Sequence, residues 1–217
     1  MWAFNKVYSN CSKVLFLLLM PLIIIQCTIF KEIPKESLFE QKLGKNLIRN
    51  PNADQGTKYW NAFGEATIEN CFQENPCFVI RNKGYFSQDI FIPEFTGLYA
   101  LLIGRVASER INKDGAITGL PYLYGYMLNK EQGNLINAYL QGQNLLGSAK
   151  RENEWVTVWG IFKIPPSTGT IRFFLNQSEK KGIPQNGSAA YFDNLGLYIF
   201  KKEDEANSIV DSYYKSD

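Results

Sequence analysis

The sequence predicts an all-β fold, a jelly-roll β-sandwich, on three observations. Short β-type runs follow one another along the middle of the chain, each closed by Gly, Pro or Asn. Helical periodicity is missing between them. Near the end, Ala190-Tyr-Phe-Asp193-Asn-Leu-Gly-Leu-Tyr198-Ile alternates Tyr191, Asp193, Leu195, Leu197 and Ile199 on one side, the period-two pattern of a half-buried strand.

The elements follow in order. Lys6 and Lys13 precede the apolar run Val14 to Ile25, which is short for a membrane span and suits the core of an export signal. Gln26-Cys27 comes next, and the segment is similar to a bacterial lipoprotein signal, in which Cys27 becomes the lipidated first residue; Gln26 departs from the small residue usual there. Three outcomes stay open: lipidation at Cys27, a retained signal anchor with the lysines inside, or release. Anchored to the membrane or secreted, the domain is expected outside the cytoplasm. Residues 1–27 therefore read as signal peptide or anchor, and 28–45, charged and without a sustained apolar period, as a tether.

Positions 46–200 read as one sandwich domain, since about 150 residues suffice to bury a core. The first strand is expected in Asn46-Leu-Ile-Arg-Asn50, stopped by the turn Pro-Asn-Ala-Asp54-Gln-Gly56 ahead of Trp60. Cys71 and Cys77 bracket a turn-rich insert. In an oxidising compartment they are expected to form a disulfide worth roughly 2 kcal/mol by loop closure, two unpaired buried thiols being the alternative. Strands follow at Phe78 to Arg81, Tyr85 to Ile92, Gly97 to Val106, Pro121 to Leu128, Ile136 to Leu140, Trp155 to Ile164 and Thr170 to Asn176. Residues 201–217 read as a frayed polar tail.

Composition narrows the chemistry. A formal net charge of +2 with scattered basic residues leaves no electrostatic footprint for nucleic acid. The chain contains no His, which removes Ser-His-Asp triads, Cys-His dyads and His-ligated zinc. A carboxylate pair of the glycoside-hydrolase kind stays chemically open, but no spacing singles one out.

The opening stretch through Trp60, the segment Tyr85-Phe-Ser-Gln88-Asp-Ile90, and the closing Tyr-x-Asp-Asn-Leu-x-Leu strand together resemble the galactose-binding-like jelly roll of extracellular carbohydrate-binding modules. That family's motifs read Asn-Leu-x-x-Asn-Gly-x-Phe-Glu-x-Gly then Trp, Ser-x-Gln-x-Val, and Tyr-x-Asp-Asp-Val-x-Leu. The resemblance spans about positions 46 to 200. It implies that first and last strands lie together, that a structural calcium ion can sit at their junction with Asp54 and Asp193 as metal ligands, and that Trp60 and Trp155 are core. Calcium takes six to eight oxygens, and the turn after Asn52 can add main-chain carbonyls; Asp54 and Asp193 equally suit turn and loop hydrogen bonds without an ion.

Sugars are bound by flat side chains stacking on their C–H faces while amides and carboxylates bond the hydroxyls. Tyr122, Tyr124 and Tyr126 share one face of a strand and would form a row about 13 Å long. Trp159 and Gln141 are further ligand-binding candidates, and the long loops starting at Glu109, Gly142 and Gln177 are edge-site candidates. The reading is a non-catalytic carbohydrate-binding protein whose partner is a glycan or cell-surface polysaccharide. An envelope structural module that packs on another envelope protein, and a glycan hydrolase, are the alternatives.

Overall fold

The computed structural model describes residues 40–72, 75–108, 120–139, 154–178 and 189–215. Eight strands appear: β1 (Asn61–Asn70), β2 (Pro76–Phe91), β3 (Tyr99–Ser108), β4 (Leu120–Leu128), β5 (Asn134–Tyr139), β6 (Val156–Lys163), β7 (Thr170–Ser178) and β8 (Ala189–Phe200). A 3-10 turn follows β2 at Pro93–Phe95. A second, Glu203–Ala206, leads into helix α1, Asn207–Lys215.

All pairings are antiparallel, in the order β5-β4-β7-β2-β8-β3-β6, with β1 on β2. The long hairpin β1–β2 belongs to both layers. The first half of β2 pairs with β8 through Phe78 to Arg81, and its second half pairs with β7 through Tyr85 to Phe91. Between these halves the strand bends: Asn82 has φ 54°, and on β1 Gly64, which pairs with Gly84 beside a register irregularity, has φ 68°. A Cβ on Gly64 would stand 2.0 Å from the Lys83 carbonyl oxygen, so only glycine fits this corner. The sheet thereby folds over itself, and its two inner faces share one core. Phe78, Ile80, Leu102, Val106, Phe192 and Leu197 come from one layer, and Phe86, Leu123, Met127, Ile171, Phe173 and Leu175 from the other.

Trp60 is buried in that core, its ring centroid 4.9 Å from Phe78 and 6.2 Å from Phe173, as the family resemblance implied. Trp155 is half-buried instead against a smaller cluster with Cys71, Ala107 and Tyr191. The expected disulfide joins Cys71 to Cys77, tying the end of β1 to the start of β2.

The opening and closing segments do lie side by side. The Gly44 and Leu47 N–H groups donate to the Ile199 and Leu197 carbonyls, and the Pro51 carbonyl accepts from Leu195 N–H. Yet the opening stretch is not a regular strand, because side-chain amides complete its bonding. The Asn46 amide donates to the Leu195 carbonyl (2.8 Å) and its oxygen accepts from Leu197 N–H (3.1 Å). Buried Gln88 exchanges two bonds with the Arg49 backbone, at 2.9 and 3.0 Å.

Five further expectations change. Asn61–Asn70, unassigned from sequence, is a strand; it lies on β2 with most of its residues exposed and so carries no alternating apolar signal. β2 runs unbroken through Asn82 to Gly84, where the sequence suggested a break. In β8 the alternation switches at Asn194 (φ 48°): Ala190 and Phe192 point into the main core before it, Leu195, Leu197 and Ile199 after it. Opposite this bulge, Ile103 pairs with Gly196 but Arg105 with Asp193, one extra residue on β8. Tyr191 consequently faces out with Val79 and Ala107.

The tail is not frayed over its described residues. Val210 and Tyr213 of α1 are buried on Leu101, Ile103 and Phe200, the outer face of the β3–β8 layer. The tether likewise ends earlier than residue 45, since Leu43 packs on the core and Lys42 pairs with Glu94 at 2.8 Å. Cys27 and the apolar run before it lie outside the described residues. Among the described residues no helix is long and apolar enough to cross a membrane.

Candidate functional site

On β4 the inward positions Leu123 and Met127 are buried, which turns Tyr122, Tyr124 and Tyr126 outward, each half-buried. The same parity rule on β7 buries Ile171, Phe173 and Leu175 and turns out Arg172, Phe174 and Asn176. On β2 it buries Phe86, Gln88 and Ile90 and turns out Tyr85, Ser87 and Asp89. Ser87 is nevertheless covered.

Strand register sets these outward residues in three cross-strand rows. The first is Phe63, Tyr85, Asn176 and Tyr122; the second Asn61, Ser87, Phe174 and Tyr124; the third Asp89, Arg172 and Tyr126. Phe174 is the hub. Its ring stacks on Tyr124 with centroids 5.0 Å apart and planes 12° from parallel, and it meets Tyr126 and Tyr85 edge-on at 5.2 and 5.6 Å. Phe63 stacks on Tyr85 at 5.2 Å and is 61% exposed.

Polar groups flank the rings. The Asn176 amide reaches the Tyr124 hydroxyl at 3.4 Å. Arg172 grips Asp89 with two parallel bonds, Nε to Oδ1 at 2.6 Å and Nη2 to Oδ2 at 2.8 Å, while Nη2 also reaches the Gln132 side-chain oxygen at 3.3 Å. Flat apolar faces beside fixed donors and acceptors suit a ligand with C–H faces and hydroxyl edges.

The three tyrosines expected as a row are thus together on one outward face. Phe63, Tyr85 and Phe174 were not foreseen, although Tyr85 and Phe174 sit on the polar parity of their strands, an aromatic among Ser, Asp, Arg and Asn. Gln141, and the loops beginning at Glu109 and Gly142, lie outside the described residues apart from Glu154; so does the third loop after its first residues.

Trp159 sits elsewhere, on the outer face of the opposite layer. Its indole N–H donates to the Tyr214 hydroxyl at 3.3 Å, and with Ile161, Glu203, Asp204 and Asn207 it lines an open cleft of about 560 Å³. It does not join the tyrosine row.

Asp54 lies in the opening turn and Asp193 on β8, which that turn meets where Leu195 N–H donates to the Pro51 carbonyl at 3.2 Å. Burial pushes the Asp193 carboxyl above the ordinary aspartate range, and the Asp54 charge adds to this, against a backbone bond from Asn194 and the Arg105 guanidinium. Asp193 Oδ1 is buried without a hydrogen-bond partner. Among the described residues no group of three or more His, Cys, Asp or Glu side chains is placed to hold a metal. Two carboxylates with an orphaned oxygen suit a hard cation only if main-chain carbonyls complete the shell.

No family model and no curated protein matches the sequence. Solved structures share the architecture. The CBM22-1-CBM22-2 tandem domain of Paenibacillus barcinonensis Xyn10C superimposes with a TM-score of 0.51 at 12% identity, over 74% of this chain and 47% of that one. The single CBM22-1 xylan-binding domain of the same protein gives 0.49 at 12% identity, over 74% and 98%. The enzymatically active domain of bacteriophage CBA120 tailspike protein 4 gives 0.49 at 14%, over 71% of this chain but only 21% of its own length. The fold is a jelly-roll β-sandwich of the kind found in carbohydrate-binding modules.

Proposed function

We propose that the protein is a non-catalytic carbohydrate-binding module that acts outside the cytoplasm, held at a membrane by its N-terminal segment. The observation that carries the binding reading is the outward aromatic cluster centred on Phe174, with Tyr124 stacked on it and Asn176, Asp89 and Arg172 beside it. Rings on this scale give a sugar its stacking surface, and the flanking groups give its hydroxyls partners. The fold shared with the CBM22 tandem agrees with this reading. The Cys71–Cys77 disulfide agrees with an oxidising compartment. Individual contacts of this kind are weak, and membrane tethering would raise the effective concentration at a polysaccharide surface.

A calcium ion held by Asp54 and Asp193, with main-chain carbonyls of the neighbouring turn, is part of the proposal. It would neutralise the two carboxylates and fix the junction of the opening turn with β8.

A glycan array with wild type and the Tyr124→Ala/Phe174→Ala double variant tests the reading. Binding by wild type that disappears in the folded double variant supports it. Absence of any glycan signal, or binding indifferent to both rings, overturns it.

A further inference from the structure

We propose that the Asp89–Arg172 pair is the specificity element of the aromatic face and restricts its ligand to uncharged glycans. This rests on the carbohydrate-binding reading of the same face. Asp89, Arg172 and Tyr126 are adjacent in one cross-strand row, immediately beside the row that holds Phe174 and Tyr124. A ligand stacked on the rings therefore meets this pair next.

The pair is aligned but exposed, with 36% of the Arg172 side chain and 44% of the Asp89 side chain accessible. An ion pair this wet contributes little to stability, so its two-point alignment is better explained by what it presents than by what it holds together. Three of the five guanidinium N–H donors are engaged by Asp89 and Gln132, which leaves the two on Nη1 to a ligand. Each Asp89 oxygen keeps further acceptor capacity.

The pair thus offers donors and acceptors together at zero net charge. A sugar hydroxyl donates and accepts, so neighbouring hydroxyls match it. A uronate carboxylate or a sulfate matches only the donors, must share Arg172 with Asp89, and meets a like charge. Among the described residues the three rows hold no other charged member: the rest of their polar members are Asn61, Ser87, Asn176 and the tyrosines, and the register carries the second and third rows on to Tyr139 and Asn137 of β5.

The test sets neutral gluco-, xylo- and galacto-oligosaccharides against uronate-bearing counterparts, by calorimetry at low and high salt. Wild type should bind at least one neutral glycan with an affinity that salt does not change, and its uronate counterpart about tenfold or more weakly. Arg172→Gln should weaken neutral binding about tenfold, the loss of charge-assisted bonds. Asp89→Asn, which leaves Arg172 uncompensated, should narrow or invert the neutral-to-uronate ratio and make uronate binding salt-sensitive. Circular dichroism verifies that both variants fold. Equal or tighter uronate binding by wild type, or a ratio unmoved by Asp89→Asn, overturns the inference. Failure of folded wild type to bind any glycan removes the carbohydrate reading, and the inference with it.

Discussion

Phe174 of β7 lies flat against Tyr124 of β4, with Tyr126 and Tyr85 edge-on to the same ring. Removing the hub therefore disturbs three contacts, whereas removing Trp159, on the opposite layer, disturbs none of them. Phe174→Ala should weaken glycan binding about tenfold or more, the scale of a buried aromatic contact at an interface, while Trp159→Ala leaves it unchanged. Calorimetry on the two variants checks this. An effect of Trp159→Ala equal to that of Phe174→Ala would move the site to the other layer.

Asn46 and Gln88 act as a pair of side-chain clamps on the opening segment. Each replaces ladder bonds that a regular strand would make for itself. Asn46→Ala or Gln88→Ala leaves main-chain groups of Leu195 and Leu197, or of Arg49, without these partners, which costs about 1–3 kcal/mol each. Urea unfolding should show this loss for both variants, and near-additivity is not expected, because the two clamps hold one segment.

How the sequence announced these features follows from burial. The tyrosines were legible as one row because alternate residues of a strand share a face, whereas which face they take is set by the burial of Leu123 and Met127. The adjacency of the opening and closing segments was legible from Asn46 and the acidic closing strand, through family motifs. Strand β1 was not, because most of its residues are exposed and nothing forces them to alternate. The switch at Asn194 was not, because Asp193 reads as one more residue in a period-two series until the bulge shifts the series by one. The hub itself was missed because a Phe beside Phe173 looks like core, when Phe173 is buried and Phe174 stands on the polar parity with Arg172 and Asn176.

Helix α1 was hidden by its polar outer face, yet it covers Leu101 and Ile103. Tyr213 is buried, with its hydroxyl 3.4 Å from that of Tyr198, and burial holds its pKa well above the ordinary tyrosine value. Tyr213→Ala should therefore cost about 3 kcal/mol, in the range for truncating a large buried ring. The thermal midpoint checks it. Glycan affinity should stay at the wild-type value, since the aromatic face lies on the other layer.

The proposed calcium ion at Asp54 and Asp193 would tie metal binding to the pH dependence of stability. With its folded pKa raised by burial first and by Asp54 next, Asp193 keeps its proton in the native state at pH values where the unfolded chain has released it. The native state then binds more protons than the unfolded one, so this group's contribution to stability falls as pH rises from the ordinary aspartate pKa through the raised one, and the deficit is complete above it. In chelator, wild type should therefore lose stability across that window relative to Asp193→Asn, which has no such proton to lose. Added calcium should reverse the deficit at neutral pH in wild type by binding the ionised pair, and should do so weakly or not at all in Asp193→Asn. Thermal melts of both proteins across pH, with and without calcium, give the comparison. Identical midpoints for chelated and calcium-loaded wild type at neutral pH would exclude the ion, whereas a chelated difference curve that stays flat with pH would instead show that Asp193 titrates alike in the folded and unfolded chain.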